Sequence, residues 1–159
     1  MTTTSLIRME RNEIIRELKK YFSIKELVCN HTYNKFGDSS WQFLDTKLLH
    51  TLLVLRTQIF KTPMVCNYTG HFQRGLRCNL CNLTREKTEK NSLYLSAHML
   101  GKAVDISMKT ITGAQARELI KKHQDLLPYP VRIEKDVTWL HIDVRDTHNN
   151  TKKVIEVNG

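Results

Sequence analysis

The chain has 159 residues, of which 40% are hydrophobic and 26% are charged, a balance typical of one globular domain with one core. No apolar stretch is as long as a membrane span, and the first residues lack the basic and apolar regions of a secretory signal peptide. The formal net charge of +9 favours an anionic partner such as a wall polymer, a nucleic acid or an acidic lipid.

The basic residues are spread along the chain rather than gathered into one stripe. Those of residues 8–20 alternate with glutamates, and so do those of residues 85–90. Aromatic residues do not alternate with the basic ones, as they do in proteins that bind single strands. We therefore predict a solvated basic surface without a specific nucleic-acid partner. Nucleic-acid binding stays as an alternative, and a steep salt dependence would support it.

The first part of the chain is predicted to be helical. Apolar spacing and capping residues predict a helix over 8–21, a short helix over 23–29, a loop over 30–40 and a helix over 45–60. The last of these is apolar on several sides, so we expect it to be the central helix of the core.

The second part of the chain alternates strands with one helix. The pattern predicts a strand over 64–69, a polar loop over 70–91, a strand over 103–107, a helix over 113–124, a hairpin of 131–134 with 138–145, and an edge strand over 153–157. Helices that precede strands indicate an α+β fold, with a small antiparallel sheet packed with helices.

Two short segments carry residues that suit a metal site. Residues 96–105 have the pattern S-x-H-x-x-G-x-A-x-D, and residues 139–143 have the pattern W-x-H-x-D. Imidazole and carboxylate groups are zinc ligands, and three of them leave one coordination position open for a reactive water. The sequence therefore predicts that His98, Asp105 and His141 bind zinc in a metal hydrolase.

Residues two apart on a strand point to the same face, so Trp139 and Asp143 should accompany His141. Asp143 either orients His141 by a hydrogen bond or is an ordinary surface charge or salt-bridge partner. Both interpretations stay open at this point.

Together, the two patterns resemble the family of zinc D-Ala-D-Ala carboxypeptidases and phage endolysins, whose fold is shared with the N-terminal signalling domain of hedgehog proteins. The resemblance spans residues 68–145. It implies a hedgehog/DD-peptidase-like fold, a zinc cofactor and hydrolysis of peptide bonds in peptidoglycan. Since the first residues do not form a signal peptide, we expect synthesis in the cytosol. The protein would then act at the cell wall, as in the phage or prophage lysis that the resemblance implies, or enter the periplasm by another route. We expect a monomer.

The general base is the point at which the chain departs from this family. Many members place an acidic residue three positions before the second histidine, where this chain has Thr138. Glu134, at the end of the strand paired with that of His141, is our first choice, and Asp136, in the predicted turn, is the second. Either is otherwise an ordinary hairpin charge. Because that acid is missing, we keep an alternative function: a catalytically inactive, zinc-containing binding module of the same fold.

Related carboxypeptidases also carry an arginine upstream of the first ligand, because a guanidinium binds a substrate carboxylate well. Residues 68–77 correspond to that segment, with Arg77 as the first choice and Arg74 as the second. Each is otherwise a solvated loop residue. Ser96 is predicted to bond the substrate or a ligand, or else to stabilise its own loop.

The cysteines do not indicate a metal site by their spacing. Cys78 and Cys81 form a C-x-x-C pair, but neither Cys66 nor Cys29 supplies a second pair at a suitable distance. We therefore interpret all four as free thiols and keep a four-cysteine zinc site as the weaker alternative. The remaining histidines lie in no recognisable ligand spacing: His31, His50, His123 and His148.

Overall fold

The computed structural model describes residues 8–149 and 151–159, and in these residues the chain has an α+β fold. The α-helices are α1 (Arg11–Leu18), α2 (Ile24–Leu27), α3 (Asn30–Phe36), α4 (Thr46–Val54), α5 (Asn82–Glu89) and α6 (Gly113–Lys122). The strands are β1 (Ala103–Ile106), β2 (Val131–Glu134), β3 (Leu140–Asp143) and β4 (Val154–Val157). No helix in this described part combines the length and apolarity needed to cross a membrane.

The centre of the core is α4, as its apolar sequence predicts. Every residue from Leu48 to Val54 is buried, and a π-helical turn over Leu55–Ile59 continues the helix. The Asp45 carboxylate accepts a hydrogen bond of 2.8 Å from the backbone N–H of Lys47 and so caps the helix. Helix α1 packs against α4 through its buried apolar face.

Three segments differ from the sequence prediction. The predicted loop over 30–40 is instead α3 followed by a 3-10 helix over Gly37–Phe43. The predicted loop over 70–91 contains α5, whose only buried residue is Thr84 and which therefore carries little apolar periodicity. The predicted strand over 64–69 is reduced to two isolated bridges, one between Val65 and Ser107 and one between Tyr68 and His71. In each case tertiary contacts, which local patterns do not contain, decide the backbone.

The sheet has the strand order β1-β3-β2-β4. The predicted hairpin is confirmed, since β2 and β3 are antiparallel, and β1 pairs antiparallel with the other edge of β3. The prediction of a wholly antiparallel sheet is wrong, because β4 lies parallel to β2. After β3 the chain crosses to the far side of β2, and it re-enters the sheet running in the direction of β2.

Helix α6 supports the segment that leads into β3. Thr112 and Gln115 form a reciprocal capping box at its start, as the sequence predicts. Arg117 on this helix donates hydrogen bonds of 3.0 Å to the backbone carbonyls of Val137 and Trp139. These bonds hold the chain just before His141.

Candidate metal centre

The pairing of β1 with β3 brings the predicted ligands together. Asp105 lies opposite His141 in the register, and His98 comes from the loop before β1. The Nδ1 atom of His141 is 2.8 Å from Oδ1 of Asp105, and Nε2 of His98 is 3.5 Å from the same oxygen. All three side chains are buried, and one donor atom of each lies within 4.8 Å of the others.

The orientation of His98 is set by the backbone around it. Its Nδ1–H donates a hydrogen bond of 2.9 Å to the carbonyl of Gly75, which directs Nε2 towards Asp105. The following turn depends on Gly101, which has a φ of +66° and whose missing side chain lets the backbone approach the carbonyl of Phe43. The carbonyl of Gly101 accepts a hydrogen bond from the N–H of Asp45, at the start of α4.

Asp143 fixes His141 from the opposite side. Nε2 of His141 lies 3.2 Å from Oδ2 of Asp143, so Nδ1 is the nitrogen left facing Asp105. Both carboxylate oxygens of Asp143 also accept hydrogen bonds of 2.9 Å from Arg132, and the N–H of Arg145 donates a further one of 3.0 Å. Both interpretations of Asp143 that the sequence left open therefore apply: it forms a hydrogen bond with His141 and a salt bridge with Arg132.

The charges of the centre follow from these contacts. Burial alone would raise the pKa of the Asp105 carboxyl, but hydrogen bonds from His141 and His98 hold it well below its usual range. Burial likewise opposes ionisation of Asp143, yet His141 and Arg132 lower its pKa to about 2. Burial disfavours the charged form of His141, but the two carboxylates raise its pKa to about 9. Both carboxylates are therefore ionised at neutral pH.

The three candidate ligands line an open cavity of about 430 Å³. Glu134, at the end of β2, also lines it, and its Oε1 lies 3.8 Å from Nε2 of His141. Asp136 is exposed in the turn and is absent from the lining of this cavity. Of the two predicted candidates for the base, the structure therefore brings Glu134 to the site and leaves Asp136 outside it.

The two predicted arginines have different positions. Arg77 lines the cavity, and its Nη2 lies 3.4 Å from Oδ2 of Asp105. Arg74 instead lines a neighbouring cavity of about 310 Å³, where its guanidinium donates to the carbonyl of Asp105 and, at 2.7 Å, to Oγ of Ser107. Arg77 thus belongs to the candidate centre, whereas Arg74 supports the β1 backbone beside it.

Ser96 and Trp139 both lie at the cavity. The hydroxyl of Ser96 accepts a hydrogen bond of 3.3 Å from the N–H of Met99, so it stabilises its own loop as well as lining the site. Trp139 is partly exposed and lines both this cavity and the neighbouring one. It therefore shares the face of His141 and Asp143, as strand alternation predicts.

Sequence reasoning missed Arg132, which clamps Asp143 and lines the cavity. The signal was present, because Arg132 and Glu134 are two apart on a strand and point to the same face. Pairing with β3 then places Arg132 opposite Asp143.

A second group of candidate ligands includes three of the four cysteines. Cys29, His31, Cys78 and Cys81 lie together, although the sequence placed His31 in no ligand spacing and paired Cys29 with no partner. Cys66 stands apart from them, and its burial raises the pKa of its thiol. None of the four cysteines forms a disulfide.

Comparisons of this chain with protein-family models, with curated proteins and with solved structures each find no match.

Proposed function

We propose that this protein is a zinc-dependent peptidase of the hedgehog/DD-peptidase-like fold that hydrolyses peptide bonds of peptidoglycan, either as a D-Ala-D-Ala carboxypeptidase or as an endopeptidase of the endolysin type. One observation carries the proposal: His98, Asp105 and His141 are buried together at an open cavity that also presents Glu134 and Arg77. The resemblance of the two sequence patterns to that family supplies the substrate class.

The donor set fits zinc. Nε2 of His98, Oδ1 of Asp105 and Nδ1 of His141 face one another, which gives two imidazole nitrogens and one carboxylate oxygen. Each histidine is held through its other nitrogen, by Gly75 or by Asp143, as is usual for metal-binding histidines. Zinc in such a three-ligand site polarises a carbonyl and lowers the pKa of bound water.

Glu134 and Arg77 supply proton transfer and substrate binding, respectively. The Glu134 carboxylate accepts a proton from the attacking water and gives it to the leaving amine, which is the work of a general base and acid. The Arg77 guanidinium, on the same cavity, binds a carboxylate of the peptide. The net charge of +9 holds the enzyme near an anionic wall, where we place its action.

One observation favours a second candidate, an inactive zinc-containing binding module of the same fold. The position that carries the acid in many members of the resembling family is occupied by Thr138, which is exposed and cannot transfer a proton. Under this alternative, zinc and the cavity serve binding alone, and Glu134 is dispensable.

Digestion of purified peptidoglycan, followed by mass spectrometry of the products, tests the proposal. Zinc-loaded wild type is expected to create new stem-peptide ends or to release D-Ala, and His98→Ala is expected to abolish this. Glu134→Gln should lower the rate by about 100-fold or more, because a general base contributes about that much. Asp136→Asn is the matched control, and its rate should stay near that of wild type.

Two outcomes would count against the peptidase. Bound zinc without cleavage of walls of several chemotypes would establish the binding module instead. Equal activity of Glu134→Gln and wild type would remove Glu134 from the reaction.

A further inference from the structure

The second group of ligands brings together two distant parts of the chain. Cys29 directly precedes α3, and His31 lies in the first turn of that helix. Cys78 and Cys81 lie just before α5, on the other side of the group. One donor atom of each of these four residues lies within 4.8 Å of the others.

The distances among Cys78, Cys81 and His31 match those between ligands of one tetrahedral zinc ion. Sγ of Cys78 is 3.9 Å from Sγ of Cys81 and 3.6 Å from Nδ1 of His31, and Sγ of Cys81 is 3.9 Å from the same nitrogen. Zinc bonds of about 2.3 Å to sulfur and about 2.0 Å to nitrogen, at tetrahedral angles, place two sulfurs about 3.8 Å apart and sulfur and nitrogen about 3.5 Å apart.

The Cys78–Cys81 turn has the form of a metal-binding knuckle. The N–H of Leu80 points at Sγ of Cys78 at 3.4 Å, and the N–H of Cys81 donates to the carbonyl of Cys78 at 3.2 Å. Backbone N–H groups that face a sulfur stabilise its thiolate form, which is the form that binds metal. The turn therefore directs both sulfurs to one point.

We propose that Cys29, His31, Cys78 and Cys81 bind a second zinc ion, separate from the candidate metal centre and structural rather than catalytic. Three thiolates and one imidazole complete a tetrahedron, so no coordination position is left for water or substrate. Soft thiolate ligands select zinc over calcium or magnesium. Within this group Cys29 and Cys81 are buried, while Cys78 and His31 lie nearer the surface, which leaves a route by which the ion enters.

The proposed ion stabilises the backbone on which His98 depends. Residues 75–77 run beside the end of α2: the N–H of Leu76 donates to the carbonyl of Leu27, and the N–H of Cys29 donates to the carbonyl of Leu76, both at 2.9 Å. The same segment contacts His98 through the carbonyl of Gly75 and the N–H of Arg77. A zinc ion that ties Cys78 to Cys29 therefore holds this segment in place from its far end.

Metal analysis with spectroscopy on cobalt tests the second site. Wild type, freed of metal and reloaded with Zn²⁺ or Co²⁺, is expected to bind two ions, and the cobalt form should show sulfur-to-cobalt charge-transfer bands. His98→Ala should lose one ion and keep these bands. Cys78→Ser and His31→Asn should each lose the ion of the second site together with the bands. The matched controls Cys66→Ala and His148→Asn should keep two ions and the bands.

Alkylation of unmutated protein covers the case in which the variants fail to fold. Zinc should protect Cys29, Cys78 and Cys81 from alkylation, and a chelator should expose them, as read by mass spectrometry. The absence of sulfur-to-cobalt bands from both wild type and His98→Ala would overturn the proposal, and so would alkylation that zinc leaves unchanged. A wild type that binds one ion and shows the bands would support this site while contradicting the proposed peptidase centre.

Discussion

Asp143 connects the charges of the candidate metal centre to the sheet. It is fully buried, and it accepts hydrogen bonds from Arg132, from His141 and from the backbone of Arg145. Such a carboxylate keeps a histidine ring in one orientation and increases its basicity as a ligand. The position of His141 therefore depends on Asp143 as much as on its own strand.

We expect Asp143→Asn to weaken binding of the zinc ion that His98→Ala removes, by about 10- to 100-fold, because the neutral amide cannot replace the carboxylate towards both neighbours. A competition titration with a chromophoric chelator measures this affinity. Asp146→Asn is the control, since Asp146 carries the same charge on an exposed side chain nearby. Equal affinities of the two variants would show that Asp143 has no part in holding the ligand.

At the scale of elements, the turn between His98 and β1 depends on a close backbone approach. A Cβ atom at Gly101 would lie 2.0 Å from the carbonyl oxygen of Phe43, whereas one at Gly70 would meet nothing within 4 Å. Both glycines have positive φ, at +66° and +83°. The two positions therefore share the same backbone strain and differ in steric contact.

Gly101→Ala is predicted to be more destabilising than Gly70→Ala. Each substitution should cost about 1–2 kcal/mol through its left-handed backbone, and the displacement of Phe43 should add about 1–3 kcal/mol at Gly101. Urea unfolding of the two variants and of wild type measures the difference. Equal losses would mean that the loop shifts freely away from the 3-10 helix.

At the scale of the whole molecule, the helical part and the sheet share one hydrophobic core. Ile14 and Leu18 of α1 pack with α4, and the same buried cluster includes Val104 of β1 and Ile142 of β3. The strands that carry Asp105 and His141 are thus stabilised by helices remote from the site. We infer that the helices and the sheet unfold together.

Leu18→Ala should therefore lower the free energy of unfolding of the whole domain by about 2–5 kcal/mol, through lost burial and the cavity left behind. The control is Leu93→Ala, because the Leu93 side chain is 90% exposed and its removal should change stability by no more than about 0.5 kcal/mol. Denaturant unfolding followed by both far-UV circular dichroism and tryptophan fluorescence measures the effect. Two separate transitions would contradict a shared core.

Local patterns in the sequence were enough to predict the features that involve neighbouring residues. The apolar run of α4, the capping residues Asp45 and Thr112, and the hairpin of β2 with β3 are all read from neighbouring residues, because helix and strand periods repeat over short distances. The grouping of His98, Asp105 and His141 was also predicted, from a histidine and an aspartate seven apart around a turn glycine and a second histidine on a later strand. The predicted hairpin put Glu134 near them, because it pairs the strand that ends at Glu134 with the strand of His141.

Other contacts between residues far apart in sequence could not be predicted and are known from the folded structure alone. The clamp of Arg132 on Asp143, the parallel placement of β4, and the meeting of His31 with Cys78 each depend on how distant segments pack. Helix α5 was missed because it buries too little apolar surface to leave a periodic pattern. Local patterns record which face of an element is buried, whereas the partner across that face is chosen by the packing of the whole core.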